Sequence, residues 1–199
     1  DAKVVAGAVG IAAGQTGIAV SGSGVVAINQ IGVDTSAFIK GKDAKHKITA
    51  GSVAVQAEDS SSIIATAAGV AVAFAAGNTS VAVSIGFSFA ENTIKSEISA
   101  YLSGVPSVLT DGGNIKVSSQ DSSQITATTV AAAVSLAFGK TAVGIAGGGA
   151  AATNIILTKN NAYIKDSELG SADSVVGNVD VDASSTSIVD AYIGALAVA

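Results

Sequence analysis

A long apolar stretch, residues 63–100, alternates bulky and small side chains with a period of two. Val70, Val72 and Phe74 share one parity, with alanines between them. Residues 81–89 then alternate valine, isoleucine and phenylalanine with alanine, serine and glycine. Such a period places bulky side chains on one face of a strand and small ones on the other. Interior glycines and β-branched valines oppose a helix, so the stretch is predicted to be strand–turn–strand.

Gly77-Asn78-Thr79 separates the two alternating runs. Glycine and asparagine tolerate positive φ, which is typical of the tight turn of a β-hairpin. We therefore expect the two strands to be the arms of a hairpin that turns at these residues.

The turn recurs as Gly14-Gln15-Thr16 and Gly139-Lys140-Thr141, and four further landmarks recur in the same order and phase. Self-similarity at a fixed period is the sequence signature of a repeat architecture. The landmarks are an Asn two residues before an Ile (Asn29, Asn92, Asn154), a small–aromatic–aliphatic triplet (37–39, 100–102, 162–164), a short strand (51–55, 113–117, 177–181) and a polar bend (59–61, 121–123, 184–186).

We therefore predict an all-β fold in which tandem repeats of about 63 residues stack as an elongated, β-solenoid-like array that carries hairpins. The units are residues 1–63, 64–125 and 126–189, and residues 190–199 begin a fourth. No Pro- or Ser-rich linker interrupts the pattern, so residues 1–199 are expected to form one continuous domain.

The units differ most between the aromatic triplet and the next short strand. These segments are residues 40–50, 103–112 and 165–176. Variation in length and charge within a repeat is typical of surface loops, so we expect these segments at the surface.

Stacking in register predicts ladders of equivalent side chains. Phe87 aligns with Gly24 and Gly149, so a bulky residue of the middle unit is expected between small residues of its neighbours. The recurring asparagines are expected to form a hydrogen-bonded ladder or to end the strand at a bulge. One aromatic per unit is expected to form a ladder of rings. These aromatics are Phe38, Tyr101 and Tyr163.

Both faces of the predicted arms are largely free of charge. A strand that is apolar on both faces must be covered on both sides, or its exposed face seeks a partner. We expect neighbouring units or neighbouring chains to supply that cover.

Composition excludes several classes of function. Apolar residues make up 49% of the 199 residues, which argues against intrinsic disorder. The chain has no cysteine, so disulfides and thiolate metal sites are excluded. A net charge of −5 gives no attraction to phosphate, so no nucleic-acid partner is expected.

Catalytic apparatus is sparse, and we expect no enzyme, no catalytic residue, no cofactor and no metal. His46, the only histidine, lies in a charged loop and lacks the partners that a general base needs. Asp180 and Asp182, and the turn Asp111–Asn114, offer oxygens that calcium prefers. The equivalents of Asp180 in the other units are alanine and lysine, so a solvated strand face or a turn is favoured.

Two further motifs have ordinary structural interpretations. Lysines 40, 42, 45 and 47 offer a site for an acidic glycan or lipid headgroup, but charge that keeps a loop soluble is the favoured interpretation. The Gly-x-Thr turns are similar to phosphate loops, but no helix or lysine follows at the required spacing.

The repeated unit resembles the repeats of leukotoxin-type filamentous adhesins, which are giant secreted bacterial surface proteins. Residues 113–117 (GNIKV), Asn154 and residues 162–164 (AYI) carry the resemblance, which covers essentially the whole chain. The first unit departs from it, because Phe38 replaces the tyrosine. The resemblance implies an extracellular, elongated, β-rich stalk or fibre, and it brings no catalytic residues.

The sequence thus predicts a structural extracellular filament or adhesin stalk at the cell surface. Its expected partner is itself, as further copies or as neighbouring repeats of a longer chain, and a host or cell-surface glycan or protein is a further candidate. Two alternatives stay open: a membrane-interacting β-barrel or pore-forming protein, and a glycan-binding module that uses residues 40–47 and the aromatics.

Overall fold

The structure, a computed structural model, describes residues 1–42 and 47–199. These residues form twelve strands and no helix, and therefore no helix that is long and apolar enough to cross a membrane. The all-β prediction is confirmed. The strands are β1 (Ala2–Ala13), β2 (Thr16–Lys40), β3 (Ile48–Thr49), β4 (Val53–Asp59), β5 (Ser62–Ala76), β6 (Thr79–Ser103), β7 (Val108–Leu109), β8 (Ile115–Asp121), β9 (Gln124–Phe138), β10 (Thr141–Lys165), β11 (Val179–Ser185) and β12 (Ile188–Val198).

Every strand pairs in parallel, and partners lie 62 to 64 residues apart in the chain except in the short pair Ile48–Thr49 with Val108–Leu109, where they lie 60 apart. Sheet 1 has the order β1-β5-β9-β12, sheet 2 the order β10-β6-β2, and sheet 3 the order β11-β8-β4, while β3 pairs with β7. We call successive sets of strands layers: β1–β3, β4–β7, β8–β10 and β11–β12. Equivalent positions of adjacent layers are thus hydrogen-bonded neighbours.

The two predicted arms are confirmed as strands β5 and β6, but the prediction of a hairpin is wrong. β5 is hydrogen-bonded to β1 and β9, whereas β6 is hydrogen-bonded to β2 and β10. The arms lie in different sheets and face each other through their side chains. Parallel neighbours occupy the strand edges, so the chain passes from one sheet to the other at the turn.

The turn also differs from the predicted hairpin turn, because neither Gly77 nor Asn78 has a positive φ. Glycine is needed here for close approach instead. A Cβ on Gly77 would collide with the carbonyl oxygen of Gly14 in the preceding layer, and one on Gly139 would collide with that of Gly77. The recurring glycine lets the turns stack.

Residues 67–76 of β5 and residues 79–90 of β6, with their equivalents in the other layers, form a thin two-sheet unit that we call the blade. Its interior holds mainly small side chains: Ala71, Ala73, Ala82, Ser84 and Ser88 are completely buried, and Val25 is a larger exception. The predicted alternation is confirmed, but the bulky residues point outward. In ordinary sheets the bulky apolar face is the buried one.

Glycines bring the two sheets of the blade very close together. A Cβ on Gly69 would lie 2.5 Å from the carbonyl oxygen of Phe87, and one on Gly86 would lie 2.5 Å from that of Ala132. Since real Cβ atoms do not approach so closely, the spacing of the sheets depends on these glycines.

The second half of β6 packs against sheet 3 and forms a thicker part that we call the base. Its core is aliphatic, with Ile98, Leu102, Ile115 and Val117 completely buried. Val108 joins this core, so the prediction that residues 103–112 are a surface loop is wrong at this position. One 25-residue strand therefore runs through both parts, a length of roughly 80 Å.

Candidate functional site

The outer faces of the blade are apolar and open. In the middle layer, which has neighbours on both sides, Ile85 is 59% exposed and Phe87 is 45% exposed. Neighbouring layers add to the edges of a sheet and leave its outer face open. The prediction that neighbouring units cover both faces of the arms is therefore wrong within this chain.

The outward positions of the blade define a surface that we call the apolar band. Each of these side chains is Ala, Gly, Val, Ile, Leu or Phe. The band comprises every second residue, counted from the first, of 5–13, 68–76, 130–138 and 194–198 on sheet 1 and of 18–26, 81–89 and 143–151 on sheet 2.

The band ends at the same height on both faces, as the middle layer shows. Glu91 follows the band on sheet 2, and Thr66 precedes it on sheet 1. Gly69 faces the backbone of Phe87 across the interior, and the strands run in opposite directions, so Thr66 lies opposite residue 90. In the middle layer both faces therefore change from apolar to polar at one level, whereas in the first layer the exposed Ile28 takes the position of Glu91.

The predicted complementation of large and small side chains is confirmed. Phe87 pairs in register with Gly24 and Gly149. One ring carbon, Cδ2, lies 3.6 Å from where a Cβ of Gly149 would be, so the ring lies over the glycine. This contact covers only part of Phe87.

A continuous ladder of asparagines lies where the blade meets the base. Asn29 donates from its Nδ2 to Oδ1 of Asn92 at 2.8 Å, and Asn92 donates to Oδ1 of Asn154 at 2.7 Å. Asn92 is completely buried. The predicted hydrogen-bonded ladder is confirmed, and the alternative of a strand-ending bulge is wrong, because all three residues lie within long strands.

The polar bends at residues 59–61 and 121–123 are buried carboxylate sites, which the sequence did not reveal. Asp121 is 1% exposed and accepts hydrogen bonds from the hydroxyls of Ser123 at 2.6 Å and Ser185 at 2.8 Å. Asp59, its register partner, accepts from Ser61 and Ser96. The sequence does place a Ser two residues after each of these Asp residues, which could have indicated a hydrogen-bonded carboxylate. The same spacing is common in exposed turns, so it does not indicate burial.

The aromatic ladder is confirmed on the outer face of the base. The rings of Phe38 and Tyr101 are stacked with centroids 5.1 Å apart, and those of Tyr101 and Tyr163 with centroids 4.9 Å apart. The interplanar angles of 8° and 1° mean that the rings cover one another's faces. Tyr101 has a ring stacked on each face, whereas Phe38 is 55% and Tyr163 is 40% exposed at the two ends of the ladder.

A groove of about 650 Å³ crosses the layers beside the aromatic ladder. Its charged lining is mixed: Asp34 and Glu97 are acidic, and Lys95 and Lys159 are basic. Lys159 donates to Oε1 of Glu97 at 2.7 Å, and this hydrogen bond raises the pKa of the ammonium group above its usual value. A lining with charges of both signs favours no strongly charged ligand.

The first and last strands of each sheet have one unpaired edge. At the edge formed by β4, Gly51 has open space where its Cβ would be, while its equivalent Gly113 would collide with the carbonyl oxygen of Gly51. A Cβ on the third equivalent, Gly177, would lie 2.5 Å from the carbonyl oxygen of Gly112. The surface at Gly51 is thus shaped to receive another layer.

The remaining predicted candidates lie apart from one another. His46 and Lys45 are outside the described residues, and Lys40, Lys42 and Lys47 are exposed. Asp180 and Asp182 are exposed on sheet 3, where Asp180 pairs with Lys116. Among residues 1–42 and 47–199, no three acidic or histidine side chains converge as a metal site.

No protein-family model, curated protein or solved structure matches this sequence.

Proposed function

We propose that this chain is part of a β-solenoid with coils of about 63 residues, and that it serves as a structural, self-stacking array. The observation that carries the proposal is the in-register parallel pairing of strands 62 to 64 residues apart. Each sheet ends in a strand with an unpaired edge, and such edges template the addition of further strands.

The side-chain ladders support one specific stacking register. A shift by one residue would move every inward side chain outward and would separate the asparagines, the buried aspartates and the stacked rings. The added layer is either the next repeat of the same chain or a second copy, and both would use the same contacts.

The dimensions favour a broad ribbon over a thin stalk. One coil advances the array by roughly 4.8 Å, whereas the coil itself is roughly 80 Å wide. An array of this kind gains little length per residue but presents two wide flat surfaces. The proposed place of the ribbon is the outside of the cell, as in the adhesin repeats that the sequence resembles, and its proposed role is structural and not enzymatic.

Electron microscopy of the purified chain in detergent-free buffer tests this proposal. We expect ribbons about 80 Å wide, with strands perpendicular to the ribbon axis and an axial spacing of about 4.8 Å. Monodisperse single particles over a wide range of concentration would contradict it.

Gly51→Val provides a sharp test of edge stacking. The added side chain points into open space in a single chain but into the backbone of a layer stacked on β4. We expect the variant to keep its β circular-dichroism spectrum and to lose ribbon formation. Gly147→Ala is the matched control, because Gly147 also has open space but lies on the outer face of the blade. Equal ribbon formation by the two variants would contradict the proposed edge contact.

A further inference from the structure

The blade is built with the polarity of a membrane protein. Its interior contains the hydroxyls of Ser84, Ser88, Thr129 and Ser135, all at most 1% exposed. Its exterior is the apolar band, in which every outward side chain is apolar. A strand that faces water has polar side chains on its outer face, whereas a strand that faces lipid has apolar side chains there.

The height of the apolar band matches a bilayer. Residues 81–89 of β6 and residues 68–76 of β5 each span nine residues, or roughly 27 Å of extended strand. Apolar bands of membrane-spanning strands are about 25 Å tall, and the hydrocarbon core is about 30 Å thick. Beyond the band, the turn at Asn78 supplies a short polar tip.

The two faces together favour lipid over a second copy of the chain. Both faces are apolar, and in the middle layer both end at the level of Thr66 and Glu91. Interfaces between proteins carry hydrogen-bonding groups, which the band lacks among its side chains.

We propose that the apolar band is a lipid-contact surface on which the blade spans the hydrocarbon core of a bilayer, with the base outside it. The inference rests on the proposed array, because unpaired backbone at the edges of sheets 1 and 2 is unfavourable in lipid and further layers must pair it.

The test is flotation of the purified chain with unilamellar vesicles of dioleoyl phosphatidylcholine. Ile85 and Val72 lie at the centres of the band on the two faces. We expect Ile85→Lys and Val72→Lys each to reduce the partition coefficient about thirtyfold or more, because lysine at the bilayer midplane is strongly unfavourable. The matched control is Ile64→Lys, which makes the same change on β5 outside the band at 49% exposure, and we expect it to bind like the parent chain.

A depth measurement complements the partitioning. The chain contains no tryptophan, so Ile85→Trp introduces a single fluorescent reporter. We expect lipids brominated near the ends of their acyl chains to quench it more than lipids brominated near the headgroup. Stronger quenching by the shallow bromines would overturn the proposal.

Electron microscopy of the same samples separates this inference from the proposed array. Ribbons that form but do not float with vesicles would overturn the lipid surface and leave the array intact. Loss of binding in only one of the two lysine variants would indicate a one-sided contact and would also overturn it. The lipid surface would also be overturned if the parent chain did not bind vesicles but formed face-to-face pairs, and if Ile85→Lys dissociated these pairs.

Discussion

Asn92 donates a hydrogen bond of 2.7 Å from its side-chain amide to Oδ1 of Asn154, its register partner in the next layer. The same residue accepts a bond from Asn29 on its other side. Buried amides require partners, and here each partner is the equivalent residue one layer away. The buried asparagine amides are therefore hydrogen-bonded only when adjacent layers stack in this register.

Asn92→Ala is expected to destabilise the fold by about 3 kcal/mol, because it leaves both neighbouring amides without their partner. Asn29→Ala removes only the terminal member of the ladder and is expected to cost about 1 kcal/mol. Urea unfolding followed by circular dichroism measures both. Equal costs for the two variants would contradict a continuous ladder.

Gly86→Ala is expected to destabilise the blade by about 3 kcal/mol, because the new Cβ would lie 2.5 Å from the backbone oxygen of Ala132. Gly147→Ala adds the same atom to the outer face, where nothing lies within 4 Å. This variant is expected to be unchanged or up to about 1 kcal/mol more stable, because alanine restricts the unfolded chain. Thermal unfolding distinguishes the two, and similar midpoints would contradict the close approach of the sheets.

Asp121→Ala is expected to cost about 3 kcal/mol, because it removes a buried acceptor that the hydroxyls of Ser123 and Ser185 share. Asp180→Ala, on an exposed strand position, is expected to change stability by less than about 0.5 kcal/mol. Chemical denaturation measures the difference. A cost at Asp121 as small as that at Asp180 would show that the bend is solvated.

Glu97→Gln is expected to return the pKa of Lys159 to its ordinary value, because the hydrogen bond to Glu97 is the main cause of its elevation. The pKa in the folded state is raised, so the stabilisation is present at neutral pH and is lost as pH rises through the raised value. Titration of the lysine Cε and Nζ resonances by NMR measures it. Since both side chains are exposed, high salt should weaken the elevation in the parent chain. An unchanged Lys159 pKa in the variant would contradict this assignment.

The sequence contained enough information to predict strand content and side-chain ladders. Landmarks that recur at offsets of 62 and 63 anticipated the pairing of Asn29 with Asn92 and the stacking of Tyr101 on Tyr163, because register follows directly from a constant period. The period of two also separated the faces of β5 and β6 correctly.

The same pattern did not reveal which face is buried. Alternation fixes two faces, and the usual assumption that bulky side chains point inward is wrong for Val72 and Phe87. The tight turn at Gly77 is also compatible both with a hairpin and with a passage from one sheet to the other. Which of the two forms depends on whether the edges of β5 and β6 already pair with other strands, and the turn residues do not show this. Burial of Asp121 was hidden for a similar reason, since one of its serine partners, Ser185, comes from another layer.

The distance between Gly7 and Leu196 tests the parallel, in-register stack most directly. These two residues lie in one row of sheet 1, in which Gly7 pairs with Val70, Val70 with Ala132, and Ala132 with Leu196. The chain has no cysteine, so Gly7→Cys and Leu196→Cys accept a pair of nitroxide spin labels cleanly. Dilution with unlabelled chain removes distances between copies. Three strand spacings and the label arms predict a single separation of about 15–20 Å by pulsed electron paramagnetic resonance. A separation above about 30 Å, or a broad distribution, would contradict the stack.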